Sequence, residues 1–213
     1  MSCYDGFIII DKPKDYTSRD VVNVLNKKLN TKKIGHTGTL DPLATGVLVI
    51  CVGKATKLVD MVTNYDKEYI ATIRTGIKTD TYDITGNILE TQKSILTKEE
   101  IEKTLNSLVG TYLQEVPIYS AAKVKGKKLY EYAREGKEVE LPKKEVTIYE
   151  INLISDISYD ENNTIFDIKV KASKGTYIRS LINDFANKLN TIAVMQDLRR
   201  TKQGMFDIKE AQG

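Results

Sequence analysis

The sequence predicts an α+β fold, a mixed and largely antiparallel sheet flanked by helices, and three observations lead there. Strand-like and helix-like segments are interspersed along the chain. Several strand pairs have connections too short for a parallel crossover: residues 149–153 are joined to residues 164–172 through the turn-rich Asp160-Glu161-Asn162-Asn163. In Phe166-Asp167-Ile168-Lys169-Val170-Lys171-Ala172, apolar residues alternate with charged ones, the two-residue period of a half-buried strand.

Residues 6–10, 47–52 and 68–74 read as further strands. Three helices complete the pattern. Thr17 and Asp20 have capping-box spacing ahead of Val21, Val24, Leu25 and Leu29, and Thr97 and Glu100 repeat it ahead of Ile101, Leu105 and Leu108. The third runs from about residue 177 to 189, with Leu181, Ile182, Phe185 and Leu189 on one face. Lysine-rich residues from about 121 to 142 read as a helix-bearing excursion from the sheet. One domain, 1–213, carrying a mobile insertion is expected.

The 213 residues suffice to bury a sizeable core, and apolar and charged fractions of 41% and 29% match ordinary soluble proteins. The apolar stretch Phe7-Ile8-Ile9-Ile10 is too short for a membrane span or a signal peptide and runs into Asp11 and Lys12. A cytoplasmic protein without a membrane partner is expected, and nothing in the chain demands a dimer, so a monomer is expected too. Two cysteines, Cys3 and Cys51, make neither a disulfide framework nor a thiolate metal cluster. The formal charge of +3 decides little. Its clustering says more: Lys27-Lys28, Lys32-Lys33, Lys123 to Lys128 and Lys143-Lys144 could each neutralise phosphates locally.

Chemistry concentrates in Ile34-Gly35-His36-Thr37-Gly38-Thr39-Leu40-Asp41-Pro42-Leu43-Ala44-Thr45-Gly46-Val47-Leu48-Val49, which packs glycines, one proline, the sole histidine and one acid into a loop entering an apolar strand. Glycine permits positive φ and close backbone approach, and Pro42 restrains the chain just after Asp41. A phosphate loop would end in Gly-Lys-Ser/Thr and open a helix; this one does neither. One histidine without an acid cluster does not make a metal site, so no metal is expected.

This segment resembles the signature of the TruB-type tRNA pseudouridine synthases. The resemblance continues in order through Asp11-Lys12-Pro13, Asp66-Lys67-Glu68-Tyr69, Thr79-Asp80-Thr81-Tyr82-Asp83, Tyr119-Ser120-Ala121, Gly126-Lys127-Lys128-Leu129-Tyr130-Glu131, Ser173-Lys174-Gly175-Thr176-Tyr177-Ile178-Arg179-Ser180 and Leu198-Arg199-Arg200-Thr201, nearly the whole chain. It implies the pseudouridine synthase fold and isomerisation of a uridine, uridine 55, in the TΨC loop of tRNA, without a cofactor. It assigns Asp41 as the catalytic carboxylate, Arg179 as its cationic neighbour and Tyr69 as the tyrosine that stacks on the target base and takes the C5 proton. His36 would fill the space left by a flipped base. Tyr177 lies two residues before Arg179, on the same face if that stretch is extended; without the family, Arg179 reads as a surface residue of a helix. Leu198 would wall the pocket, while Lys12, Pro13 and Lys57 fall in blocks beside the cleft. Lys123, Lys127 and Lys128 would clamp the RNA backbone. Ala172 stands where many relatives have cysteine, with no consequence for catalysis.

Family members usually continue past Leu-Arg-Arg-Thr into a small RNA-binding domain, often of the PUA type, which is absent from this sequence. Intact catalysis with reduced tRNA affinity is the expectation. Two other classes fit the residues less well. An RNA-binding protein or tRNA folding chaperone would not need Asp41, Tyr69 and Arg179 together, and a nucleotide-binding protein would need the phosphate-loop lysine.

Overall fold

Both capping boxes close as the spacing predicts. In the computed structural model, which describes residues 4–213, helix α1 (Ser18–Leu29) starts with the Thr17 hydroxyl accepting from the Asp20 N–H while the Asp20 carboxylate accepts from the Thr17 N–H. Thr97 and Glu100 do the same for α3 (Lys98–Ser107). Each reciprocal pair satisfies two orphan donors of the first turn. Cys3 lies outside the described residues.

The chain divides into two compact units. The first comprises Met1–Ile70 and Leu198–Gly213. It contains β1 (Gly6–Lys12), α1, β2 (Ile34–Thr37), β3 (Thr45–Val52), a 3-10 turn (Gly53–Leu58), α2 (Val59–Thr63), the start of β4 (Lys67–Thr75), the end of β13 (Ala193–Gln203) and β14 (Phe206–Asp207). Strand β3 is its axis, buried along nearly its whole length. Antiparallel β1 takes one edge of β3, from Gly6 opposite Val52 to Lys12 opposite Gly46. The other edge is shared: β13 runs parallel at Thr45 and Gly46, and β2 antiparallel at residues 49–52. Val47, Val49 and Val62 form a core against which Ile9, Tyr65, Phe206 and Ile208 pack. The apolar run Val47–Val52 of β3 follows from burial on both faces, which removes the polar half of the alternation.

The second unit, Ala71–Asp197, holds the rest of β4 and β13, β5 (Ile77–Thr79), β6 (Ile88–Thr91), α3, β7 (Gly110–Glu115), β8 (Lys123–Val124), β9 (Lys127–Lys128), α4 (Leu129–Arg134), β10 (Lys143–Leu153), β11 (Ser158–Tyr159), β12 (Thr164–Ala172) and α5 (Ile178–Lys188). Long β10 pairs antiparallel with β7 through its first half and with β12 through its second, and β4 follows β12. The alternation read in β12 is realised: Phe166, Ile168, Val170 and Ala172 are buried. Phe166 meets Phe185 of α5 edge-on at 5.8 Å between ring centroids. The connection between β10 and β12 holds more than a turn, because β11 pairs back onto β12. Residues 121–142 form a β8–β9 hairpin followed by α4. No helix among the described residues is long and apolar enough to cross a membrane.

Candidate active site

Asp41 sits where the chain is held from both sides. Leu40 before it is buried, its N–H donating to the Ser18 Oγ at 3.0 Å and its carbonyl accepting from that hydroxyl at 3.3 Å. After it, the Pro42 carbonyl accepts from the Asp15 N–H at 2.8 Å and from Lys12 Nζ at 3.4 Å. The Asp41 carbonyl accepts from the Ala44 N–H, closing a turn directly before β3. Ser18 is the first residue of α1, so the capping box of Thr17 also places the hydroxyl that pins the Asp41 loop. A loop with this many bonds to other elements holds the Asp41 backbone in one place.

Lys12 is completely buried at the end of β1. Its ammonium donates to the carbonyls of Pro13 at 2.9 Å and Tyr16 at 2.5 Å as well as Pro42. Burial pushes its pKa down to about 8, against the opposing pull of the Asp41 and Asp15 carboxylates. Lys12 thus reaches the Asp41 loop itself, and Pro13 contributes its carbonyl to Lys12 from an exposed position.

Tyr69 lies on the buried face of β4, in strict alternation with half-buried Glu68 and Ile70. Its phenol interacts electrostatically with the guanidinium of Arg200 on β13. Arg200 is 1% exposed; it also donates from Nε to the Val47 carbonyl at 2.7 Å and from Nη2 to the Gly38 carbonyl at 3.0 Å. Burial pushes this guanidinium below its ordinary range, and Tyr69 opposes that shift. His36, half-buried on β2 opposite Ile50, has its pKa lowered first by burial and then by the charges of Arg19 and Arg200. Its imidazole is therefore neutral at pH 7, and its buried Nδ1 has no hydrogen-bond partner among the described residues.

Arg199, next to Arg200, faces the other way and makes a two-pronged pair with Asp11 at 3.0 and 2.8 Å. Leu198 is 7% exposed. Lys57 is exposed on the 3-10 turn that follows β3, whereas Asp41 precedes that strand.

In the second unit, Arg179 is 4% exposed, which corrects the reading of a surface helix residue. Its guanidinium donates to the carbonyls of Thr81 and Tyr119, both at 3.0 Å. Helix α5 begins at Ile178, so Tyr177 alone is extended (φ −98°, ψ 114°) and Arg179 is already helical. No side chain of its own caps this helix; the Tyr177 N–H donates instead to Gln114 Oε1 of β7 at 2.8 Å. Gln114 in turn donates to the Tyr112 hydroxyl, which donates to Asp184. Burial pushes the Asp184 carboxyl up and, with Asp184 alongside, leaves the Tyr112 phenol far above its ordinary range. A cleft of 690 Å³ is lined by Asp80, Ile118, Tyr119 and residues 136–141 of the excursion. Lys123 is exposed there, but Lys127 is paired to Glu135 at 2.5 Å and lies over the Tyr132 ring, and Lys128 lies over the Tyr130 ring.

The family follows from comparison with known proteins. The model described as "TruB family pseudouridylate synthase (N terminal domain)" matches residues 26–178. The chain belongs to the TruB family. It is 48% identical over 211 residues to the tRNA pseudouridine synthase B of Lactobacillus acidophilus, covering 97% of this chain and 71% of that one. The enzyme of the same name from Caldicellulosiruptor saccharolyticus is 50% identical over 207 residues, covering 97% and 70%. Among solved structures, a Cbf5-Nop10-Gar1 complex matches with TM-score 0.69 and 29% identity over 95% of this chain and 50% of that one. An H/ACA RNP bound to a substrate RNA containing 2'-deoxyuridine matches with TM-score 0.68 and 27% identity over 95% and 48%. The chain therefore spans about half the length of those structural neighbours, and the fold is that of this TruB family.

Sequence reasoning missed Arg200 and Gln114 as parts of the site. Arg200 lies in the run Leu198-Arg199-Arg200-Thr201, and the alternation of a strand shows that only one of Arg199 and Arg200 can face inward. Gln114 carried no comparable signal, because its partner Tyr177 is 63 residues away.

Proposed function

We propose that this chain isomerises a uridine in the TΨC loop of tRNA, uridine 55, to pseudouridine, with Asp41 as the catalytic carboxylate. The observation that carries the reading is the setting of Asp41: one carboxylate on a loop pinned by Ser18, Asp15 and Lys12, with the buried Lys12 ammonium on the carbonyl of the next residue, Pro42. The reaction breaks the N1–C1′ bond, turns the uracil and rejoins it through C5, which a positioned carboxylate and a proton acceptor can drive.

A carboxylate shielded from water needs nearby cations to stay ionised. Lys12 supplies one in this unit, and Arg179 is retained in that role on the strength of its family block. Tyr69, on the buried face of β4, is the acceptor for the C5 proton. Neutral His36 offers a flat ring and an imidazole hydrogen bond to an RNA loop whose base has been flipped out. Tyr177 and Leu198 keep the substrate-binding roles that their family blocks imply, and exposed Lys123 contributes to RNA affinity through phosphate neutralisation. The names of the relatives support tRNA as the RNA, and the cytoplasm is where such a substrate is met.

The test is tritium release from C5-labelled uridine in a T-arm minihelix. Release by the native chain and its loss in Asp41→Asn are expected. Tight binding without release by the native chain would refute the enzyme in favour of an RNA-binding protein.

A further inference from the structure

Helix α5 begins without a side-chain cap of its own. In α1 and α3 the N-cap N–H is satisfied locally, by the Asp20 carboxylate at 2.9 Å and the Glu100 carboxylate at 2.8 Å, each three residues along. The N-cap of α5 is Tyr177, whose side-chain oxygen sits at the far end of a ring and cannot cap, and the residue three along is Ser180. Strand β7 takes up both groups instead. Gln114 Oε1 accepts from the Tyr177 N–H at 2.8 Å, and the Glu115 carbonyl accepts from the Ser180 hydroxyl at 2.7 Å. Two consecutive residues of one strand thus grip α5 on either side of Arg179. A local cap would satisfy the helix equally well, but a cap supplied from the sheet also fixes where the helix starts relative to that sheet.

The Gln114 amide is itself aimed. It belongs to a residue 1% exposed, and burying an amide is costly unless its two ends are bonded. A backbone N–H can only donate, so the amide oxygen faces Tyr177 and the Nε2 end donates to the Tyr112 hydroxyl at 3.0 Å. That hydroxyl donates in turn to Asp184 Oδ2 at 2.9 Å. Burial, with Asp184 alongside, keeps the phenol protonated and therefore a donor. Asp184 lies seven residues after Tyr177, two turns along the same helix, and Gln114 and Tyr112 are same-face neighbours on β7. The hydrogen bonds therefore leave α5 at Tyr177, cross to Gln114, follow β7 to Tyr112 and return to α5 at Asp184. Turning the amide round would set donor against donor at Tyr177 and draw the Tyr112 proton away from Asp184.

We propose that Gln114 is a positioning residue for the reaction, registering the first turn of α5 on β7 so that Tyr177 and the buried Arg179 guanidinium stand at fixed places, with Tyr112 and Asp184 holding the amide in the direction this needs. This rests on the roles proposed above for Tyr177 and Arg179. The guanidinium donates to the Thr81 and Tyr119 carbonyls, which belong to segments other than β7 and α5. A shift of the helix start would carry the cation off both acceptors, which is why the register of one turn matters to the chemistry.

The test is single-turnover conversion of a T-arm minihelix at saturating RNA by the native chain, Gln114→Met and Tyr112→Phe, each measured well below its melting temperature and alongside RNA binding. Methionine keeps the length of glutamine and removes both amide bonds, whereas phenylalanine leaves the amide in place and removes the hydroxyl that aims it. Gln114→Met is expected to bind RNA within about threefold of native and convert it about tenfold to a hundredfold more slowly, the usual scale for a misplaced catalytic group. Tyr112→Phe is expected to be slowed as well, by no more than Gln114→Met. A purely structural amide would lower the melting temperature of the folded variant and leave its saturated rate unchanged. A native rate in either folded variant, or a loss confined to binding, would overturn the proposal; should Gln114→Met not fold, Tyr112→Phe alone decides on the same criteria. A native chain that converts nothing sinks the function and this inference with it, whereas active native protein with native rates in the variants sinks the inference alone.

Discussion

Lys12→Met separates what the buried ammonium does for stability from what it does for the Asp41 loop. A fall in pKa from 10.5 to about 8 corresponds to about 3 kcal/mol disfavouring the charged form at neutral pH. Methionine removes that penalty and leaves three carbonyls without their ammonium partner. Pro42 keeps the Asp15 N–H, and Pro13 and Tyr16 are exposed residues whose carbonyls water can reach, so the loss is about 1–3 kcal/mol in all. At pH 7 the two terms nearly cancel, and the variant is expected within about 2 kcal/mol of native. The pH dependence is the sharper readout. Between pH 8 and 10.5 the unfolded chain still binds the Lys12 proton and the folded one does not, so native stability rises with pH across that window. Relative to Lys12→Met the native chain should gain about 2–3 kcal/mol from pH 7 to pH 10, flat below 8. Urea denaturation of both proteins at four pH values measures this. A difference that is constant, or that turns against the native chain as pH rises, refutes a depressed Lys12. Uridine conversion should fall in the variant at pH 7, because the Asp41 loop loses the ammonium that bonds its Pro42 carbonyl.

Two further outcomes follow from the packing. Gly46→Ala places a Cβ 2.2 Å from the Arg200 carbonyl at a φ of +101°, and backbone strain and overpacking together should cost about 2–5 kcal/mol; a denaturation midpoint matching native would contradict the close approach. Lys123→Ala should lower the salt slope of RNA binding by nearly one, whereas Lys127→Ala should change it less, since Glu135 already offsets that charge. Filter binding across roughly 50 to 200 mM KCl tests this, and equal effects of the two substitutions would remove the distinction.

How much could be read from the chain alone differs by element. Thr17/Asp20 and Thr97/Glu100 act over three residues, so their helix starts were legible as they stand. The alternation in β12 was equally plain, because one face meets the core and the other does not. The third helix was placed to within a residue at each end, although its cap comes from Gln114 and was not visible. Arg179 shows the limit most clearly: by residue type it belongs on a helix surface, yet two carbonyls from residues 60 and 98 positions away accept its hydrogen bonds inside the protein.

The sequence by itself determined the local starts and periods of the elements, the family, and Asp41, Tyr69 and His36 as the residues to watch, since ordered motifs and short-range capping need no partner distant in the chain. Tertiary structure alone decided what those residues touch. Lys12 became the buried cation of the Asp41 loop because β1 and β3 pair from Gly6 opposite Val52 to Lys12 opposite Gly46, and Arg200 reached the Val47 and Gly38 carbonyls because β13 enters beside Gly46. Burial and hydrogen-bond partners come from contacts across 30 to 160 residues, and those distances are set by packing rather than by any local pattern.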